Sequence, residues 1–88
     1  MIHLPGDKAS GLRVNSLTQN IDIMPTILEY NNIDLTEHIH GHSLLGIMEG
    51  KEKKVRDNAI FGTFGMAVNI TDGNYTYFRS PENEDNYP

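Results

Sequence analysis

No cysteine occurs among the 88 residues, which excludes a disulfide framework, a Cys-ligated zinc site and a cysteine nucleophile within this chain. No run approaches the roughly 18 consecutive apolar residues that a membrane-spanning helix needs. Met1–Gly6 has no long apolar core behind a basic flank, so it does not read as a signal peptide. Positive charge is scarce: 7 Lys and Arg stand against 12 Asp and Glu, for a formal net charge of −5. Nucleic acids and anionic membrane surfaces both require a basic patch, so neither is an expected partner. The only local cluster of basic residues, Lys51–Arg56, contains Glu52 and reads as a solvated turn. No Gly-x-Ser-x-Gly occurs, and no glycine loop leads into Gly-Lys-Ser/Thr, so neither a nucleophile elbow nor a phosphate cradle is encoded.

What is present suits a soluble globular segment: 38% of residues are hydrophobic and 22% charged, a balance unlike that of disordered chains. At this length the chain is one segment at most, and it buries only about 60–65% of its unfolded surface. Met1–Leu4 reads as a short strand stopped by Pro5-Gly6, and Leu12–Leu17 as a second short strand or an extended entry to a helix. The main helix is expected over about 20–31. Asn20 is its preferred cap, with Ser16 and Gln19 as an alternative capping box, and Asp22 lies in its first turn. Ile21, Met24, Ile27 and Leu28 form its apolar stripe. Pro25 is cheap near a helix start and costs about 3 kcal/mol in an interior, which favours the later start. Asn31-Asn32 ends the helix.

A second, short helix is expected over about 43–48, ending at Gly50. Asn58–Thr63 and Met66–Thr71 read as strands, with Gly62 and Gly65 marking close backbone approach or a bend between them. A hairpin turning at 72–73 then follows, because Asp-Gly suits a two-residue turn. Tyr75–Phe78 return as an aromatic strand. Ser80–Pro88 is a polar, acidic, loose tail. One amphipathic helix, one helical turn and a hairpin leave apolar faces without cover, and self-association would be one way to cover them.

His38, His40 and His42 are the sharpest local feature. Alternate histidines on a strand would share a face, and imidazole is a common ligand for zinc, copper and nickel. Gly41 interrupts the pattern, the segment reads as a loop, and the nearest carboxylates are Asp34 and Glu37. The reading is therefore of solvated histidines and no native metal site. Phe61, Phe64, Tyr75, Tyr77 and Phe78 read as cross-strand packing rather than a base-stacking platform.

Taken in order, several pieces resemble the carboxy-side part of the sulfatase family. Asn20-Ile21-Asp22-Ile23-Met24-Pro25-Thr26-Ile27-Leu28 followed by Asn32-Ile33 is similar to its "D-hydrophobic-x-P-T-hydrophobic-L … G-I" helix. His40–Leu45 with Met48-Glu49-Gly50 is similar to its Gly-x-Ser-Leu segment. Asn58–Gly62, Phe64-Gly65 and Val68–Tyr77 resemble the strand and hairpin that follow, and His3-Leu4-Pro5-Gly6 the strand end before the helix. Gly46 stands where the family usually has proline, and Asn32 where it commonly has glycine.

The resemblance implies an α/β, alkaline-phosphatase-like parent fold. It also implies hydrolysis of sulfate esters through formylglycine and a divalent cation, usually calcium. The family's Cys/Ser-x-Pro-x-Arg motif does not follow Ser10, Ser16, Ser43 or Ser80, and its acidic metal motifs have no counterpart here. No catalytic, cofactor-binding or metal-binding residue carries over, so the chain is expected to be a carboxy-side segment, inactive alone, whose partner is the remainder of the parent sulfatase. The competing reading is a small stand-alone binding module that uses the His-rich loop or the strands between Phe61 and Phe78.

Overall fold

The computed structural model describes residues 1–82; the part of the expected acidic tail beyond Glu82 lies outside them. The chain is a small mixed α/β unit with one main helix and a three-stranded antiparallel sheet. A 3-10 turn over Asn20–Asp22 runs directly into helix α1, Ile23–Tyr30. Pro25 therefore falls in the first turn of α1, where its missing N–H leaves no intrahelical bond unmade. The start is braced at Gln19 rather than Asn20: the Gln19 N–H donates to Asp22 Oδ2 at 2.8 Å. Asn32 ends the helix in the left-handed region at φ +57°. The N–H of Ile33 then returns to the Leu28 carbonyl at 2.9 Å. Asparagine tolerates that conformation, which is how it serves where the resembling pattern has glycine.

Helix α2, Leu45–Met48, is a single turn, and α1 packs against it and against the Asn20–Asp22 turn. Leu44 and Ile47 are buried there, and Ala59 is buried on the sheet. Strands β1 (Ala59–Gly62), β2 (Val68–Thr71) and β3 (Thr76–Arg79) form an antiparallel meander in that order. Gly62 pairs with Val68, and a Cβ on Gly62 would lie 2.6 Å from the Ala67 carbonyl, so the expected close approach is real.

The second reversal spans Asp72–Tyr75. Gly73 takes φ +96° while Asp72 does not take a positive φ, so this is not a turn with two left-handed residues. Asp72 Oδ1 instead accepts the N–H groups of Asn74 and Tyr75 at 2.8 and 2.7 Å. Those bonds, Tyr75 first and then Asn74, hold its carboxyl below the usual value.

Two expectations are corrected. Met1–Leu4 is not a strand and is followed by a 3-10 turn at Pro5–Asp7; of the two readings of residues 12–17, a strand or an entry to the helix, the strand is not formed. A strand needs a neighbour for its N–H and C=O groups, and β1, β2 and β3 pair only with one another. The apolar stripe of α1, by contrast, lacks cover within the chain as expected. Ile21, Met24 and Ile27 are 50%, 59% and 56% exposed, and the face turned inward carries Asp22, Pro25 and Thr26. Finally, Lys51–Arg56 is not wholly solvated, because Arg56 folds inward. No helix among the described residues is long and apolar enough to cross a membrane.

Candidate functional site: a buried carboxylate and its guanidinium clamp

The inward face of α1 places a carboxylate where hydrophobic burial would be expected. Asp22 has no solvent exposure, and Arg56, 34 residues later, reaches it with its own side chain only 11% exposed. The contact is bidentate. Arg56 Nε donates to Oδ2 at 3.1 Å and its Nη2 donates to Oδ1, the fork geometry that makes arginine-carboxylate pairs strong. Two backbone donors complete the carboxylate: Gln19 N–H to Oδ2 at 2.8 Å and His42 N–H to Oδ1 at 2.9 Å. Every lone-pair direction is thereby used. Burial alone would push the Asp22 carboxyl up; the His42 N–H, the Arg56 guanidinium and the Gln19 N–H outweigh it and hold the group below its ordinary 3.8.

Other side chains extend the clamp into the rest of the unit. Arg56 Nη1 donates to Gln19 Oε1, and Gln19 Nε2 donates to the Ile60 carbonyl on β1 at 2.7 Å. Thr26 Oγ1 donates to the Asp22 carbonyl at 2.6 Å and accepts the Leu44 N–H at 2.8 Å. A Cβ on Gly41 would run into the Ile21 backbone carbonyl, which lets the 41–44 loop lie directly on the helix start. One polar network therefore joins the helix start, the loop before α2, the Lys51–Arg56 turn and the first strand.

The sequence-level candidates sit elsewhere. His38, His40 and His42 are exposed, and what His42 contributes is its backbone N–H. Among the described residues, no group of three or more His, Asp or Glu comes together that could hold a metal ion. Ser16 Oγ donates to the Lys53 carbonyl, and Ser43 Oγ accepts the Leu45 N–H at 3.2 Å. An open groove of about 750 Å³ runs past Arg13, Lys53 and Lys54. Of the carboxylates lining it, Asp72 is committed to its own turn and Glu52 stands exposed.

Asp22, Arg56, Gln19 and Thr26 were not singled out from sequence as a joint constellation. The signal available was the i, i+3, i+4 spacing of Asp22, Pro25 and Thr26, which defines a second helix face opposite the apolar stripe. Arg56 gave no such signal, because its partner lies far away in sequence.

The comparisons with known proteins agree with this framework. The sequence is 34% identical over 58 residues, 66% of this chain, to the extracellular sulfatase SULF-1 homolog of Drosophila melanogaster. The chain spans 5% of the length of that curated relative. The family model described as N-sulphoglucosamine sulphohydrolase, C-terminal, matches residues 1–80. Covered over nearly its whole length by that match, the chain belongs to the sulfatase family as a carboxy-side segment of the N-sulphoglucosamine sulphohydrolase type.

Proposed function

We propose that this chain is the framework segment of a sulfatase-type hydrolase that cleaves sulfate esters, and that it has no turnover alone. The observation that carries the proposal is the closure of the Asp22 site. A catalytic carboxylate must have a lone pair or a proton to offer substrate, whereas both Asp22 oxygens are held by donors of the chain itself. The clamp orders a segment; it does not address a ligand.

The formylglycine nucleophile and divalent cation implied by the sulfatase resemblance do not fit the residues of this chain. Cysteine is absent, none of Ser10, Ser16, Ser43 and Ser80 begins a Ser-x-Pro-x-Arg motif, and no described cluster of acidic or imidazole groups could ligate a metal. We assign both, and the chemistry they supply, to the remainder of the sulfatase polypeptide, which is also the proposed partner of this segment.

Purified 88-residue chain, incubated with an aryl sulfate with and without calcium, is expected to give no hydrolysis above buffer. Turnover that co-purifies with the chain, and that disappears on substituting one of its own residues, would overturn the proposal.

A further inference from the structure

The pattern Asn-x-Ser/Thr, with any residue but proline in the middle, is the acceptor signature for an N-linked glycan. It occurs twice in this chain, as Asn69-Ile70-Thr71 and Asn74-Tyr75-Thr76. Nothing in the two triplets ranks one above the other, since both end in threonine and both hold a bulky residue between. The fold separates them.

Asn69 lies in the middle strand of the sheet, opposite Phe61 on β1 and Phe78 on β3. It is only 9% exposed, and its Oδ1 is buried without a hydrogen-bond partner among the described residues. A glycan is bulky and strongly hydrated, so one carried on the Asn69 amide has no room unless the sheet opens. The hydroxyl of that triplet is also engaged. Thr71 Oγ1 donates to the Tyr75 carbonyl at 2.8 Å and accepts the Gly73 N–H at 3.1 Å.

Asn74 differs on each count. It sits in the reversal between β2 and β3, and Asn74, Tyr75 and Thr76 are all exposed. The bonds that shape the reversal use the backbone of Asn74 and not its side chain. Asp72 Oδ1 accepts the N–H groups of Asn74 and Tyr75, and the Asp72 N–H donates to the Tyr75 carbonyl at 3.2 Å. A substituent on the Asn74 amide therefore extends into water and breaks no pairing, as bulky additions at exposed loop tips generally do.

The Drosophila relative that matches this chain over 58 residues is an extracellular sulfatase, a setting in which N-linked glycans are added. We propose that Asn74 is an N-glycosylation site of this segment and that Asn69 stays bare, a property beyond the framework role and independent of turnover. In the transfer, Asn74 Nδ2 attacks the anomeric carbon of a lipid-linked oligosaccharide diphosphate. The new N–C bond replaces the C–O bond to phosphate, the lipid diphosphate leaves, and the amide gives up one proton. Thr76 supplies the hydroxyl that marks the acceptor.

Site mapping on the full sulfatase polypeptide that carries this segment, secreted from insect cells behind a secretory signal, tests it. Peptide-N-glycosidase in heavy-oxygen water converts each glycosylated Asn to an isotopically heavy Asp. Trypsin releases residues 57–79 as one peptide holding both triplets, and fragmentation assigns the label. Heavy Asp is expected at 74 and not at 69. Asn74→Gln and Thr76→Val, both at exposed positions, should each remove that label, and Thr76→Ser should keep it. No label at 74, label at 69 in the secreted protein, or label at 74 that survives Thr76→Val would overturn the proposal. The readout is a mass at one position, so a failed glycosylation site and a failed sulfatase assignment give different results.

Discussion

Replacing Arg56 with alanine removes the only side-chain cation from a carboxylate that has no access to water. Asp22 would keep the N–H groups of His42 and Gln19 but lose both guanidinium bonds. Breaking a buried pair from one side costs about 3–5 kcal/mol, because the surviving charge stays desolvated. The two remaining backbone donors place Arg56→Ala near the lower end, at about 3 kcal/mol. A chain of this length has only about 4–13 kcal/mol to lose, so between roughly a quarter and three quarters of its stability should go.

The pH dependence discriminates this cause from lost packing. In the native chain the Asp22 carboxyl titrates below 3.8. Its contribution is therefore complete above that pH and is lost as pH falls through the lower, folded value. In Arg56→Ala, burial is opposed only by the backbone donors, so the carboxyl titrates higher and takes up a proton sooner. The stability deficit against the native chain should accordingly be largest near pH 7 and shrink toward pH 3. Urea denaturation followed by circular dichroism at both pH values measures it. A deficit below about 1 kcal/mol, the scale of an exposed pair, or one that does not change with pH, would refute the argument that the clamp neutralises a buried charge.

Two further substitutions probe the same network from its other ends. Thr26→Val keeps the shape but leaves the buried Leu44 N–H without its acceptor, a loss of about 1–3 kcal/mol in the same denaturation measurement; Thr26→Ser should restore most of it. Gly41→Ala places a methyl group against the Ile21 backbone carbonyl, which cannot swing aside as a side chain would. It should cost at least the top of the roughly 1–3 kcal/mol range for overpacking, visible as a lowered melting temperature.

The local elements were legible because their causes are local. Pro25 and the Asn31-Asn32 pair bound the helix to within a residue or two, since each acts through its own φ and N–H. Asp72-Gly73 announced the hairpin, although the strands around it pair Thr71 with Thr76, which leaves a four-residue reversal over Asp72–Tyr75 in place of a two-residue turn. The strand read at Met1–Leu4, and the strand alternative at Leu12–Leu17, failed for the opposite reason, since strand structure depends on a neighbour and β1, β2 and β3 pair only with one another.

Sequence by itself therefore determined the family, the order of the elements from α1 onward and the absence of a nucleophile motif, each of which is written in contiguous residues. Only the tertiary structure decided which face of α1 turns inward. Amphipathic spacing named Ile21, Met24 and Ile27, yet the fold buries Asp22, Pro25 and Thr26. A buried charge is stable only where a distant partner and several donors converge on it. Arg56, His42 and Leu44 meet α1 across 34, 20 and 18 residues of chain, separations that no helical or strand period encodes.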